Sequence, residues 1–327
     1  MLKVLGKRQA DHNNYHKLVT IYQLLSWGDK ITLVPSTTSS NIKPTGPYGE
    51  QIPQGANQAD NLVWRAWQLM AEELGHQKEN LKIELHKNIP AGSGLGGGSS
   101  NAATIMRMLR LLWCPDMPLE RLAEMGASLG ADIPVFIRGC SSLAQGTGDK
   151  IQRLDLPKYY YLIFCPEIHS STTGLFGKLA EDREQGNALA NYDGLERDTI
   201  QQVNQDINSW LEMDDANDFT RYVMDEHPEL KEINNQIDLL TPSKLGNKIF
   251  LSGTGSSMFA VYDSKEKASA DQQNILKHCP ASYTSEISEI SRITENNEAR
   301  TKLANSDLKP SLIILSEGVN CGCINLW

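Results

Sequence analysis

At 327 residues the chain exceeds what one ordinary hydrophobic core organises, so about two domains are expected. With 40% hydrophobic and 22% charged residues it is globular rather than disordered. A formal net charge of -9 argues against nonspecific binding to nucleic acid or to an anionic membrane surface. It leaves room for a phosphorylated ligand, which backbone amides and a few lysines hold whatever the net charge. The six cysteines (Cys114, Cys140, Cys165, Cys279, Cys321 and Cys323) are scattered without a Cys-x-x-Cys pair and read as reduced thiols of a cytoplasmic protein. No apolar run reaches the roughly 18 residues of a membrane span, and the charged start Met1–Arg8 is not followed by the apolar region of a signal peptide.

In chain order, Leu18 to Leu33 predicts extended segments with a turn at Gly28-Asp29, and Thr37 to Gly55, rich in Ser, Thr, Pro and Gly, predicts a loop. Asp60-Asn61 caps a helix to about Leu74, with Leu62, Ala66, Leu69 and Met70 on its apolar face and Gly75 as its stop. Alternation of Leu81, Ile83 and Leu85 with polar neighbours predicts a half-buried strand. A glycine-rich turn leads into a helix from about Ser100 to Trp113, and another runs from Pro118 to Leu129. In the second half, Tyr159 to Phe164 reads as a buried strand. Helices are expected around Ala188 to Leu211 and Asp218 to His227, and strands at Ile249–Leu251 and Met258–Tyr262. From Asp263 the chain is polar, and Ser282 to Asn305 reads as mobile or peripheral. This order gives an α+β protein of two lobes, 1–156 and 157–327, with the boundary near Leu156-Pro157.

The segment Pro90-Ala91-Gly92-Ser93-Gly94-Leu95-Gly96-Gly97-Gly98-Ser99-Ser100-Asn101-Ala102-Ala103 carries the strongest signal. Between a strand and an apolar helix, such a loop turns several backbone N–H groups toward one point, and the helix start adds partial positive charge. Phosphate is the natural occupant, and Ser99 and Ser100 add hydroxyls for phosphate or a Mg²⁺ ion. Gly92-x-Gly94-x-x-Gly97 also satisfies the dinucleotide fingerprint. That reading wants an acidic residue ending a second strand about 20 residues on, where this chain continues a helix. A Walker A loop fails because Gly98 stands where lysine must be. A bare turn does not need so many adjacent glycines, whose ordering costs backbone entropy.

The pattern Pro-x-x-x-Gly-Leu-Gly-Gly-Gly-Ser-Ser-Asn-Ala-Ala resembles the second motif of the GHMP kinase superfamily, and within it the kinases of 4-diphosphocytidyl-2-C-methyl-D-erythritol. Two further motifs follow in the family's order: Gly130-Ala131-Asp132-Ile133-Pro134, and Ser252-Gly253-Thr254-Gly255-Ser256-Ser257. The resemblance implies a two-lobed fold, with an S5-like N-terminal domain and a ferredoxin-like C-terminal domain. It also implies ATP and Mg²⁺, with the loop Pro90–Ser100 around the phosphates. Asp132, which alone reads as a turn or cap residue, becomes the carboxylate that orients the acceptor hydroxyl and takes its proton. Tyr15-His16 resembles the family's Tyr-His, where the aromatic ring stacks on cytosine and the imidazole meets its edge. Phe176, with Thr172 just before it, resembles the region closing the other face. The implied partner is a small-molecule acceptor, with no nucleic acid and no membrane, bound by a monomer or homodimer. Ala144–Asp149 resembles a family stretch read as a structural turn, and Asp218 of Asn217-Asp218-Phe219 is expected to cap a helix. Lys7, Arg8 and Lys87 offer charge for a diphosphate, though each reads first as a solvated surface charge.

The resemblance runs from about Leu2 to Phe259, with two departures. Family members open on a strand carrying Pro-Ala-Lys-x-Asn-Leu, absent here, since Met1 falls where that strand should be ending. The expectation is either a start further upstream or a truncated, catalytically impaired ATP-binding protein. Another GHMP kinase, with mevalonate derivatives, homoserine or a sugar as acceptor, is the other alternative. The family's Asp-Gly-Tyr-His is here the longer Asp11-His12-Asn13-Asn14-Tyr15-His16. Asn13 and Asn14 tolerate the positive φ that the glycine would supply.

Overall fold

The structure, a computed structural model, describes residues 1–7, 16–53, 59–76, 80–185, 201, 206, 208–278, 300–305 and 308–319. The first half holds β1 (Leu2–Lys7), β2 (His16–Tyr22), β3 (Leu24–Leu25), β4 (Lys30–Pro35), β5 (Asn41–Thr45), α1 (Leu62–Leu74), β6 (Leu81–His86), α2 (Gly97–Trp113), α3 (Leu119–Ala127), α4 (Ile133–Arg138), β7 (Ser142–Gly146) and β8 (Lys150–Arg153). The second half holds β9 (Tyr160–Pro166), α5 (Thr172–Glu184), α6 (Thr220–Glu226), α7 (Pro228–Leu240), β10 (Phe250–Leu251), β11 (Met258–Tyr262), α8 (Lys265–His278), β12 (Arg300–Asn305) and β13 (Leu308–Val319). These elements form two compact units. One comprises Met1–Trp27, Gly92–Leu95 and Asp155–Val319, and the other Gly28–Ala91 and Gly96–Leu154.

In the unit of Gly28–Ala91 and Gly96–Leu154, strand β6 lies between β4, antiparallel, and β5, parallel. Its alternation buries Leu81, Ile83 and Leu85 and leaves the intervening polar residues half-exposed. Those three side chains meet helices α1 and α2 in one core with Met70, Ala102, Ile105, Met106 and Leu109. Helix α1 starts where Asn61 accepts a hydrogen bond from the Val63 N–H at 2.9 Å. It ends where Gly75 adopts a left-handed φ of 75°. Strands β7 and β8 form a hairpin. Its turn is held by the Asp149 carboxylate, which accepts from the Thr147 N–H at 2.8 Å and the Thr147 hydroxyl at 3.1 Å.

In the other unit, β9 runs between β11 and β13, antiparallel to both. Six of its seven residues are buried, as a central strand requires. Its core gathers Leu162 and Phe164 with Leu175, Phe219, Val223, Ile233, Met258 and Tyr262. Met1–Trp27 belongs here because Val4 lies in this core and Leu24–Leu25 pair with β13.

Several elements differ from the sequence expectation. The stretch 37–55, predicted as loop, contains β5, which pairs with β6 and buries Ile42. Helix α2 begins at Gly97, three residues before Ser100, and its first residue is glycine for a packing reason. A Cβ at Gly97 would lie 3.0 Å from both an Ile89 methyl and the Lys87 ammonium. Helix α5 opens on the poor helix formers Thr172-Thr173-Gly174, and Ser171 compensates by capping it through a hydrogen bond from the Gly174 N–H. Of the helix expected over Ala188 to Leu211, most lies outside the described residues, and Ser209–Leu211 form one 3₁₀ turn. Of Ser282 to Asn305, residues 300–305 form the edge strand β12 and the rest lie outside the described residues.

Asp218 is not a helix cap. Its carboxylate accepts the Val4 N–H at 2.8 Å and the Lys3 ammonium at 3.1 Å, which ties β1 to the segment before α6. The local turn is made instead by Asn217, whose Oδ1 accepts the Phe219 N–H at 2.9 Å. Lys87 is no surface charge either. It is 1% exposed and paired with Asp29.

Candidate active site

The glycine loop has a defined backbone. Gly92, Gly94 and Gly96 stand at φ values of 67°, 75° and 68°, a region that side chains with a Cβ rarely adopt. Gly96 is the residue before α2, so no side chain caps that helix. Its first N–H groups lack intrahelical partners, and such a helix start favours an anion. Ser100 already donates its hydroxyl to the Gly97 carbonyl at 2.9 Å, which leaves Ser99 as the helix-start hydroxyl for a ligand.

Gly92–Leu95 pack within the unit of β9. A Cβ at Gly94 would lie 2.5 Å from the Ser252 carbonyl oxygen and 2.6 Å from that of Gly255. The Ser252 hydroxyl donates to the Gly94 carbonyl at 2.9 Å, and the Ser257 N–H donates to the Ser93 carbonyl at 3.1 Å. The second glycine loop therefore grips the first. Asn217 braces that second loop, donating from Nδ2 to the Gly253 carbonyl at 2.8 Å and the Leu251 carbonyl at 3.1 Å. The Thr172 and Thr254 hydroxyls share a hydrogen bond at 2.8 Å. His16 stacks on Phe176 with ring centroids 5.0 Å apart, and Phe176 meets Phe219 edge-on. His16 and Phe176, expected on cytosine, here stack on each other. The imidazole lies over the phenyl face, and a base stacking on that face would have to displace it. Tyr15, like Arg8, lies outside the described residues.

The other unit holds Gly96–Ser100 and Asp132. Asp132 is the half-buried residue from which α4 starts, and its side chain makes no cap hydrogen bond. The ring of Phe136, one turn along α4, sits where a Cβ on Gly96 would be, 2.7 Å from its Cζ. The helix carrying Asp132 is therefore packed directly on the glycine that opens α2. On the far side, a Cβ on Gly148 would meet the Ala131 carbonyl oxygen at 3.4 Å, so the β7–β8 turn supports the residue before Asp132. Beneath the loop lies an ion pair of Lys87 and Asp29 at 2.5 Å, with side chains 2% and 1% exposed. Burial lowers the Lys87 pKa against the opposing pull of Asp29. Sequence reading missed this pair. Asn101 was the available clue, because a buried polar residue on an apolar helix face needs a partner.

Residues 61–140 match the family described as GHMP kinases N terminal domain. A 4-diphosphocytidyl-2-C-methyl-D-erythritol kinase of Hahella chejuensis is 32% identical over 292 residues, 86% of each chain. One from Haemophilus ducreyi is 33% identical over 264 residues, 81% of this chain and 83% of that protein. The chain belongs to the 4-diphosphocytidyl-2-C-methyl-D-erythritol kinase family.

Solved structures agree on the fold. A crystal structure of a 4-(cytidine 5'-diphospho)-2C-methyl-D-erythritol kinase superposes with a TM-score of 0.56 at 22% identity, covering 98% of this chain and 100% of the other. The L. major mevalonate kinase in complex with R-mevalonate scores 0.58 at 17% identity, covering 81% and 86%. A fold shared this evenly between kinases named for different acceptors does not choose the acceptor. Membership of the diphosphocytidyl-methylerythritol kinase family rests on the sequence identities. Among the described residues no helix is long and apolar enough to cross a membrane.

Proposed function

We propose that this chain transfers the γ-phosphoryl group of ATP to the 2-hydroxyl of 4-diphosphocytidyl-2-C-methyl-D-erythritol, a step of isoprenoid precursor synthesis in the cytoplasm. The observation that carries the reading is the identity above 30% to kinases of that name across most of both chains. The local geometry supports it: a glycine loop opening an uncapped helix, with a carboxylate-bearing helix packed on the same loop.

In this reading Pro90–Ser100 cradle the phosphates of ATP through backbone N–H groups. Asp132 orients the acceptor hydroxyl and takes its proton as the oxygen bonds to the γ-phosphorus. The bond from that phosphorus to the bridging oxygen breaks, and ADP leaves with the electron pair. Tyr15, His16, Thr172 and Phe176 recognise the cytosine. No group of three or more His, Cys, Asp or Glu side chains suited to a metal ion occurs among the described residues. That donor set suits a Mg²⁺ carried on the nucleotide, an ion that keeps most of its waters and takes few protein ligands. The Ser99 hydroxyl would help hold it, and the ion would supply positive charge against the phosphates.

The test is ADP release from Mg-ATP with each of four acceptors: the diphosphocytidyl compound, its methylerythritol phosphate fragment, mevalonate and homoserine. Stoichiometric ADP with the first alone is expected. Turnover of mevalonate or homoserine with none of the diphosphocytidyl compound overturns the assignment.

A further inference from the structure

The Asp29 carboxylate, in the unit of α1 and α2, accepts four hydrogen bonds. Its Oδ1 accepts the Asn88 N–H at 2.6 Å and the Ile89 N–H at 2.8 Å. Oδ2 takes the Lys87 ammonium at 2.5 Å and the Asn101 side-chain amide at 2.8 Å. Those four bonds use the acceptor capacity of a carboxylate. The Asn88 amide in turn donates to the Gly28 carbonyl at 2.8 Å.

The partners are not a random set. Asn88 and Ile89 are the last residues before Pro90, where the glycine loop begins. Asn101 lies in the first turns of α2, where the loop ends. One buried anion thus fastens both ends of the loop. Lys87 reaches the same place, its ammonium lying where a side chain on Gly97 would go. The side chains of Asp29 and Lys87 are 1% and 2% exposed and Asn101 is 4% exposed, so their polar groups face each other rather than a nucleotide.

We propose that Asp29, Lys87 and Asn101 are positioning residues that fix the spacing between the two ends of the glycine loop and thereby set its affinity for ATP. The inference rests on the reading of Pro90–Ser100 as the ATP phosphate site. Buried ionic groups often contribute little net stability and are replaceable by apolar ones when both charges go together. What they supply here is geometry, because a loop already held in its binding conformation does not lose that ordering entropy when the ligand arrives.

The test uses Asn101→Ala, which removes one tie without unpairing a charge, and the double variant Asp29→Asn/Lys87→Met, which removes both charges. Binding of Mg-ATP and steady-state kinetics are measured on the full chain. The expected result is an ATP dissociation constant and KM raised about tenfold or more in both variants, with acceptor KM and kcat close to wild type. A lower yield of folded protein with unchanged ATP KM makes the cluster merely structural and overturns the proposal. Wild-type protein that fails to bind Mg-ATP sinks the phosphate-site reading itself, a separate outcome. Should neither variant fold, amine-reactive labelling of wild type decides. Lys87 unlabelled with and without ATP supports positioning, whereas labelling that ATP suppresses puts the ammonium on the nucleotide and overturns it.

Discussion

Replacing Gly94 by alanine tests the grip between the two glycine loops. A Cβ-bearing residue in the left-handed region costs about 1–2 kcal/mol. The new methyl would also stand 2.5 Å and 2.6 Å from the carbonyl oxygens of Ser252 and Gly255, both backbone atoms with no rotamer to escape into. Those strands of chain must retreat by several tenths of an ångström. Retreat opens the Ser252 hydroxyl to Gly94 carbonyl bond and the Ser257 N–H to Ser93 carbonyl bond. Each such bond contributes about 0.5–1.5 kcal/mol net. The sum is a destabilisation of about 2–5 kcal/mol, with the first glycine loop displaced. Gly177→Ala is the matched control. It lies inside α5 at an ordinary φ with nothing within 4 Å, so alanine should stabilise by about 0.5–1 kcal/mol. Denaturant unfolding gives both numbers, and ATP KM reports the loop. Gly94→Ala protein with a wild-type midpoint and ATP KM would refute the reasoning.

The carboxylate proposed as catalytic and a buried phenol give two further predictions. Asp132→Asn should lower kcat about 100-fold to 10,000-fold while the ATP dissociation constant stays within about twofold, and an unchanged kcat removes Asp132 from proton transfer. Tyr161 is held above its ordinary pKa of 10.0 by burial and, secondarily, by Tyr159. The folded phenol resists ionisation while the unfolded one does not. Its contribution to stability is therefore complete below pH 10.0 and drains as pH rises past it. Tyr161→Phe should flatten the alkaline limb of the stability curve, and a limb that keeps its slope counts against burial as the cause.

Elements whose signals are local were legible in the sequence. Helix α1 has a cap, a stripe and a glycine stop, and β6 has its alternation, so both fall where the residues put them. The glycine loop and the helix after it were legible because their chemistry is crowded into consecutive residues. The missed elements draw their stability from elsewhere. Strand β5 exists because β6 offers it a parallel edge, not because Asn41–Thr45 favour extension. Helix α5 has almost no amphipathic stripe and rests on Ser171 and the burial of Leu175 and Leu179. In the site, Asp132 and the loop were readable by motif. Lys87 was misread because its partner Asp29 is 58 residues away in sequence. A lysine beside a glycine loop looks solvated until the carboxylate that neutralises it is seen.

The same separation explains Asn217 and Asp218, adjacent residues with unrelated tasks. Asp218 reaches Val4 and Lys3 and fixes β1, while Asn217 reaches back to Leu251 and Gly253 and fixes the loop that grips Gly94. A dipeptide that reads as the start of a helix is in fact the anchor of two distant segments. The physical gain lies in when ordering occurs. Glycine-rich loops lose more backbone freedom than any others when they become fixed. If the loop were free until ATP arrived, that loss would fall on binding and weaken it. Because Ser252, Ser257 and Asn217 hold the backbone in the unliganded fold, the loss falls on folding, where a large core offsets it. On the proposed reading of the loop as the phosphate site, residues that never reach the phosphate would decide how tightly the loop can hold one.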